Sequence, residues 1–175
     1  TAAEALRAAN LDWQVEKKPV YAFDGGNFCV VPGHCATVRA DLWGRPECEP
    51  FGLVGEDYCV LQNKEAFRFL DPFVKSGQVR YETAGALGRG ERVWILARLT
   101  HTVAVKGKDE IERFLLLSNG HDGRTALQIR FTPVRVVCQN TLSCALARGR
   151  DLLRSHHGRG MDRRIERAQE TVRVM

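Results

Sequence analysis

The chain has 175 residues and a formal net charge of +5 at pH 7. Hydrophobic residues make up 44% and charged residues 27%, a balance that excludes a membrane span, a collagen-like repeat and an acidic solvating tail. A chain of this length can bury a core without disulfide or metal staples, so we expect one main domain.

The charge is unevenly distributed along the chain. Residues 124–175 contain eleven arginines, no lysine and four acids, a net charge of +7, whereas residues 1–123 carry a net charge of −2. An arginine-rich end points to a polyanion such as nucleic acid, because guanidinium groups pair with phosphates in a bidentate way and stack on bases. The alternative is a solvated helix face and a charged tail.

The N-terminal part predicts a short helix followed by strands. The helix covers residues 2–9, and the strands cover residues 13–21, 28–31, 36–40 and 51–61. The Asp24-Gly25-Gly26-Asn27 cluster predicts a turn. Asn63 is expected to cap the next helix, which Pro72 either kinks or restarts and Gly77 ends.

The clearest prediction is a four-stranded antiparallel meander over residues 78–87, 91–105, 111–118 and 125–137. The turn Gly88-Arg89-Gly90 joins its first two strands. Period-two alternation gives the second strand one apolar face and one face that carries Arg92, Trp94 and Arg98. On the fourth strand, Arg130 lies on the more polar face. Trp94 could stack a base between guanidinium groups, or it could pack under a helix.

The predicted fold class is α+β: a four-stranded antiparallel meander with flanking helices, plus a smaller N-terminal β-rich portion. Asn140 or Thr141 caps a helix that Gly149 ends. We expect a core domain over residues 1–149 and a C-terminal arginine-rich helical segment over residues 150–175. In that segment, apolar residues recur with helical spacing and the arginines face mainly away from them.

Six cysteines are present, and none forms a CxxC pair. An even number could mean disulfides, but the chain is not small and three of the cysteines lie in apolar runs. We therefore predict buried, reduced thiols in a cytosolic protein, with no zinc site and no cofactor. Cys138, just before a predicted helix, is the best-placed nucleophile, and the alternative is a core thiol.

Common catalytic motifs are absent: the sequence has no GxxxxGK[ST], GxGxxG, GxSxG or HExxH. His121-Asp122 lies in a glycine-flanked turn and could ligate a metal or act as an acid–base pair. The alternative is that Asp122 caps the turn while His121 is exposed, because adjacent side chains on a turn seldom converge. For His156 and His157, a phosphate contact or a surface position is favoured over a metal site.

Several runs resemble the phage/plasmid-like protein family, a domain of unknown function carried by prophages and conjugative elements. They span Gly52–Tyr58, Gln62–Phe67, Tyr81–Gly85, Phe114–Gly123 and Phe131–Leu142. The resemblance implies mobile-element biology in a bacterial cytoplasm and no established reaction, and Pro72 departs from the family pattern. The topology is also similar to single-strand-annealing recombination proteins, which bind single-stranded DNA in a basic groove and form rings or filaments.

We therefore predict a single-stranded nucleic-acid-binding protein of a phage or plasmid that anneals strands in recombination or replication. We expect a homo-oligomer, no membrane partner, and no enzymatic activity. The alternatives are a metal-dependent enzyme acting on nucleic acid around His121 and Asp122, and a non-catalytic protein-interaction module. The predicted nucleic-acid-binding residues are Arg92, Trp94, Arg98, Arg124, Arg130, Arg135, Arg148, Arg150, Arg154, Arg163, Arg164 and Arg167.

Overall fold

The computed structural model describes residues 1–100, 103–104 and 110–173. In these residues, helices combine with an antiparallel sheet of three strands, a larger one of five strands and a small two-stranded one. No helix among the described residues is long and apolar enough to cross a lipid bilayer. The predicted α+β class is confirmed, but the main sheet has five strands rather than four.

The N-terminal part builds the smaller sheet. Helix α1 (Ala2–Ala8) begins with a capping box, and the strands β1 (Val15–Phe23), β2 (Phe28–Arg39) and β3 (Gly52–Gly55) follow in that spatial order. The two strands predicted between residues 28 and 40 are thus one long strand. The predicted strand over residues 51–61 is much shorter, because the chain leaves the sheet after Gly55.

Two short helices connect the sheets, α2 (Asn63–Arg68) and α3 (Asp71–Lys75). Pro72 lies in the first turn of α3, where the missing N–H of proline costs nothing, so the chain restarts a helix there. Gln62, not Asn63, caps α2. The side chain of Asn63 is instead buried and donates a hydrogen bond to the carbonyl oxygen of Leu11.

The larger sheet has the order β10-β9-β8-β5-β4. Its strands are β4 (Val79–Leu87), β5 (Arg92–Leu99), β8 (Phe114–Gly120), β9 (Leu127–Thr132) and β10 (Arg150–Ser155). Between β5 and β8, β6 (Val103–Ala104) pairs with β7 (Glu110–Ile111). The part of the predicted second strand beyond Thr100 falls largely outside the described residues.

The predicted helical segment over residues 150–175 is wrong for its first part. Residues Arg150–Ser155 form the strand β10, which pairs with β9. In the predicted four-stranded meander, this side of β9 would have been an unpaired edge. Helix α4 (Gln139–Arg148) precedes β10, and helix α5 (Met161–Arg173) follows it. Within residues 150–173, only α5 is helical as predicted.

Each face of the larger sheet packs against helices. On one face, apolar side chains such as Val93, Ile95 and Leu117 form the main core, which α5 joins through Met161 and Ala168. On the opposite face, residues of β5 and β8 pack against α4 in a second cluster: Trp94, Leu96, Phe114, Leu116, Val136, Leu142 and Ala145. The predicted division of β5 into two faces is confirmed, and α4 covers the face that carries the arginines.

Candidate nucleic-acid interface

Arg98 and Arg135, two of the predicted phosphate ligands, both bind the carboxylate of Glu82. Arg98 Nη2 lies 2.9 Å from Glu82 Oε2, and Arg135 Nε lies 2.7 Å from Glu82 Oε1. Burial disfavours the charge on Glu82, but the hydrogen bonds from both arginines outweigh burial and hold its pKa below the ordinary value. Arg98 also pairs with Glu112 at 2.9 Å. The protein's own acids therefore neutralise this group.

Arg130, predicted to contact nucleic acid, is 7% exposed and is paired with Asp151 of the neighbouring strand. Its Nε donates a hydrogen bond to Asp151 Oδ1 at 2.8 Å, and its Nη2 donates to the same oxygen. A side chain on Gly149 would have its Cβ 2.8 Å from Arg130 Cδ, so the chain crosses directly over this arginine. Arg130 thus joins β9 to β10 and is covered from solvent.

Trp94 is 5% exposed and lies in the cluster beneath α4, so its ring is covered by the protein in this fold. The indole also covers Gly85 on the neighbouring strand, where a Cβ would lie 2.5 Å from Trp94 Cη2. Arg92, which lies on β5 together with Trp94, donates a hydrogen bond to Thr125 Oγ1 at 3.0 Å. The alternative of a tryptophan packed under a helix is confirmed.

The remaining predicted arginines are exposed and make no salt bridge with any described residue. Arg124 lies in the loop between β8 and β9. The others occupy the end of α4, the edge strand β10 and helix α5, which packs against β10. Six of these cations lie on β10 or on the helices before and after it in the chain, which pack on opposite faces of the larger sheet. Together these elements form what we call the β10 margin, which carries Arg148, Arg150, Arg154, Arg163, Arg164 and Arg167.

Helix α5 divides its solvent side into a basic and an acidic part. Successive residues of an α-helix are rotated by about 100°. Arg163, Arg164 and Arg167 therefore share a sector of about 100°, on one side of the helix away from the buried stripe. The neighbouring sector, which also contains Arg173, holds the three acids Asp162, Glu166 and Glu170. Arg163, Arg164 and Arg167 thus form a ridge along one side of α5.

The His121-Asp122 pair is not arranged as an acid–base unit. Asp122 Oδ1 accepts hydrogen bonds from the N–H groups of Arg124 at 2.9 Å and Thr125 at 2.7 Å, and Oδ2 accepts one from the Thr125 hydroxyl at 2.8 Å. Burial opposes ionisation of Asp122, but these hydrogen bonds hold its pKa below the ordinary value. The prediction that Asp122 caps the turn is confirmed.

His121 is fully buried, so the alternative that it is exposed is wrong. The turn docks onto the smaller sheet, where the Thr37 hydroxyl donates a hydrogen bond to the His121 carbonyl at 2.6 Å. Gly52 permits this close approach, because a side chain there would overlap the backbone of Asp122. The neighbouring aromatic rings of Trp13 and Phe51 complete the enclosure of the imidazole.

Two buried histidines each have one ring nitrogen that meets no hydrogen-bond partner among the described residues. The Nδ2 group of Asn63 donates a hydrogen bond to the carbonyl oxygen of Leu11, which leaves the Oδ1 atom of Asn63 as an acceptor. His121 Nε2 donates to this oxygen at 2.9 Å, and His121 Nδ1 has no partner among the described residues. His157 Nδ1 donates to the Cys59 carbonyl at 3.3 Å and leaves Nε2 unpartnered. Burial lowers the pKa of His121 to about 3 and also lowers the pKa of His157. Both rings are therefore neutral near pH 7.

Within the described ranges, no three His, Cys, Asp or Glu side chains are placed to hold a metal ion, so His121 and Asp122 have no third ligand there. All six cysteines are free, but none is buried, which corrects the predicted burial. Cys138 is exposed at the start of α4, where hydrogen bonding to Thr141 lowers its pKa. His156 is exposed and His157 is buried.

A family model described as a domain of unknown function (DUF932) matches residues 50–175. The chain belongs to this family. The DUF932 region contains β3, the whole larger sheet and all the predicted nucleic-acid-binding residues, whereas α1, β1 and β2 precede it. No curated protein and no solved structure matches the chain.

Within the DUF932 region, sequence patterns missed the acids that neutralise the sheet arginines. Glu82 lies on a predicted strand, but it reaches Arg98 from the register irregularity between Tyr81 and Thr83, and its contact with Arg135 depends on the path of the chain after β9. Asp151 was predicted in a helical segment, whereas it lies on β10 beside Arg130. The separation of 21 residues between Arg130 and Asp151 gives no local signal of their pairing.

Proposed function

We propose that this chain binds single-stranded nucleic acid through the exposed arginines at the β10 margin of the larger sheet. The observation that carries this proposal is the set of exposed arginines on α4, β10 and α5 that make no salt bridge with a described acid. Unpaired guanidinium groups at a surface bind phosphates without first breaking an internal ion pair. We further propose that the protein anneals strands in recombination or replication of a phage or plasmid, on the basis of its resemblance to phage/plasmid-like proteins.

The arginine bias supports a single strand as the ligand. A guanidinium plane can stack on a base as well as pair with a phosphate, and bases are free to stack only when the strand is unpaired. The ridge formed by Arg163, Arg164 and Arg167 and the neighbouring strand β10 present cations in two adjacent elements. Cations arranged in this way can bind along the flexible sugar-phosphate backbone of a single strand without recognising its base sequence.

Fluorescence anisotropy with a labelled oligonucleotide tests the proposal across a salt series. If six phosphates are neutralised, log affinity should fall with log salt with a slope of about −4. The triple variant R163A/R164A/R167A should flatten the slope by about two units, since each phosphate contact on a single strand contributes about 0.7. Its fold should be unaffected, because all three side chains are exposed.

The matched control is R98A/R135A, which removes two arginines that Glu82 already neutralises. It should leave the slope unchanged. An absence of binding at about 50 mM salt would disprove the proposal, because phosphate contacts are strong under that condition. If the native protein and the triple variant have the same salt slope, α5 is not part of the binding site. If duplex DNA binds as tightly as the single strand, the proposed preference for single strands is wrong.

A further inference from the structure

The outer part of the β1–β2 hairpin projects from the molecule as a two-stranded ribbon. Strand β3 pairs with β2 only over His34–Thr37, so no described part of the chain adds a third strand to the ribbon beyond this point. Every residue from Tyr21 to Val30 is exposed. Two-stranded hairpins alone are marginally stable in water, so an exposed ribbon with an apolar face gains stability from a partner.

One face of this ribbon is continuously apolar. Tyr21 is opposite Val30, and Phe23 is opposite Phe28, so all four side chains point to the same face. Their exposed fractions are 53% for Tyr21, 56% for Val30, 60% for Phe23 and 73% for Phe28. The two phenylalanine rings stack on each other at 4.7 Å between centroids. Large exposed side chains in a contiguous row mark an interaction surface.

The charge of the ribbon disfavours nucleic acid as the occupant. Between Pro19 and Gly33 the only charged residue is Asp24. Its carboxylate caps the turn by accepting hydrogen bonds from the N–H groups of Gly26 and Asn27. A bound strand would place its phosphates beside this acid with no cation in the ribbon to neutralise them. An apolar protein surface without strong charge fits this face better.

We propose that the occupant is a second copy of this chain, whose ribbon packs its Tyr21-Val30-Phe23-Phe28 face against the same face of the first. A two-fold arrangement requires one self-complementary patch, and a row of mutually opposite apolar residues meets that requirement. From the exposed fractions, with about 200 Å² for a full aromatic side chain, each ribbon offers about 450 Å².

Two such faces bury about 900 Å² in total, which lies below the roughly 1,200 Å² of a standard stable interface. The dimer should therefore be weak and reversible. A face-to-face two-fold contact is closed, so it yields dimers rather than rings or filaments. This inference is independent of the arginine margin, because the ribbon lies outside the DUF932 region and shares no residue with that margin.

Sedimentation velocity of the native chain, from low micromolar to about millimolar concentration, should show a monomer–dimer equilibrium. Val30→Lys should weaken the dimer at least about tenfold, because each copy would bury an unpaired ammonium group beside that of its partner. Phe28→Ser should weaken it similarly by removing the most exposed ring. Both residues lie away from the two cores, so thermal unfolding should confirm that the variants fold.

Val137→Lys is the matched control, since Val137 is 54% exposed but lies before α4 rather than on the ribbon. It should leave the dimer unchanged. A native chain that stays monomeric at every concentration, a dimer that survives Val30→Lys, or an equal loss with Val137→Lys would each overturn the proposal. A monomeric chain whose oligonucleotide affinity falls with Phe28→Ser would identify nucleic acid as the occupant instead.

Discussion

The α4-covered face and the β10 margin of the larger sheet both carry arginines, but the two regions use them differently. Under and beside α4, Arg98 and Arg135 share Glu82, and Arg130 is paired with Asp151. At the margin, the arginines of β10 and α5 are exposed and make no salt bridge with described residues. Both sets contribute equally to the net charge. Only exposed guanidinium groups without a salt bridge, however, can bind a new anion without first breaking an ion pair inside the protein.

Replacing Trp94 tests the covered face most strongly. Trp94→Ala should destabilise the protein by about 3–5 kcal/mol, because it removes a large buried ring from the cluster beneath α4. Urea unfolding measures the change. Trp43→Ala is the control: Trp43 is 54% exposed and contacts Lys18 through a cation–π interaction, so the loss should be about 1 kcal/mol or less. A Trp94 variant of native stability with weakened oligonucleotide binding would restore base stacking as its role.

Acid should lower the free energy of unfolding through the two buried histidines. His157 follows β10, and His121 lies in the loop between β8 and β9. Because burial depresses the pKa of both histidines, the unfolded chain binds more protons as the pH falls below about 6.5. Their stability contribution is full above that pH and declines below it, at up to about 1.4 kcal/mol per pH unit for each histidine.

Urea unfolding at pH 7.5 and pH 5 checks this expectation, with pH values chosen on either side of about 6.5, the ordinary histidine pKa. His121→Gln should reduce the difference in unfolding free energy between the two pH values, even if the variant is less stable at both. His34→Gln is the control, since His34 is exposed. An unchanged pH dependence in His121→Gln would show that this imidazole does not govern the acid response.

Glu82→Gln offers a smaller but more direct test of the comparison, because it removes the charge that Arg98 and Arg135 share. Arg98 then keeps only its pair with Glu112, whereas Arg135 has no salt bridge to another described acid and becomes available to a phosphate, so the salt slope should steepen by about one unit or less. Glu49→Gln is the control, since it frees Arg89 in an exposed pair remote from both regions. If the salt slope does not change in Glu82→Gln, then these arginines are kept from nucleic acid by where they lie in the fold, and not by their salt bridges to Glu82.

Local patterns predicted the parts of the fold that depend on neighbouring residues. The alternation on β5, the turn at Asp24–Asn27 and the apolar stripe of α5 each follow from side chains a few positions apart. The strand β10 was missed because Leu152 and Leu153 suit either a helix or an edge strand, and the bulge at Asp151 disrupts its alternation. Pairing with β9 decides between the two structures.

By itself, the sequence determined that the chain is an α+β protein with an arginine-rich C-terminal third and two distinct faces on strand β5. Only the tertiary structure decided which arginines are neutralised, because Glu82 and Asp151 meet their partners through strand pairing and chain crossings that lie far apart in sequence. The same holds for His121: its buried, neutral state depends on Asn63, Thr37 and Gly52. Composition fixes how many charges exist, and packing fixes which of them reach the solvent.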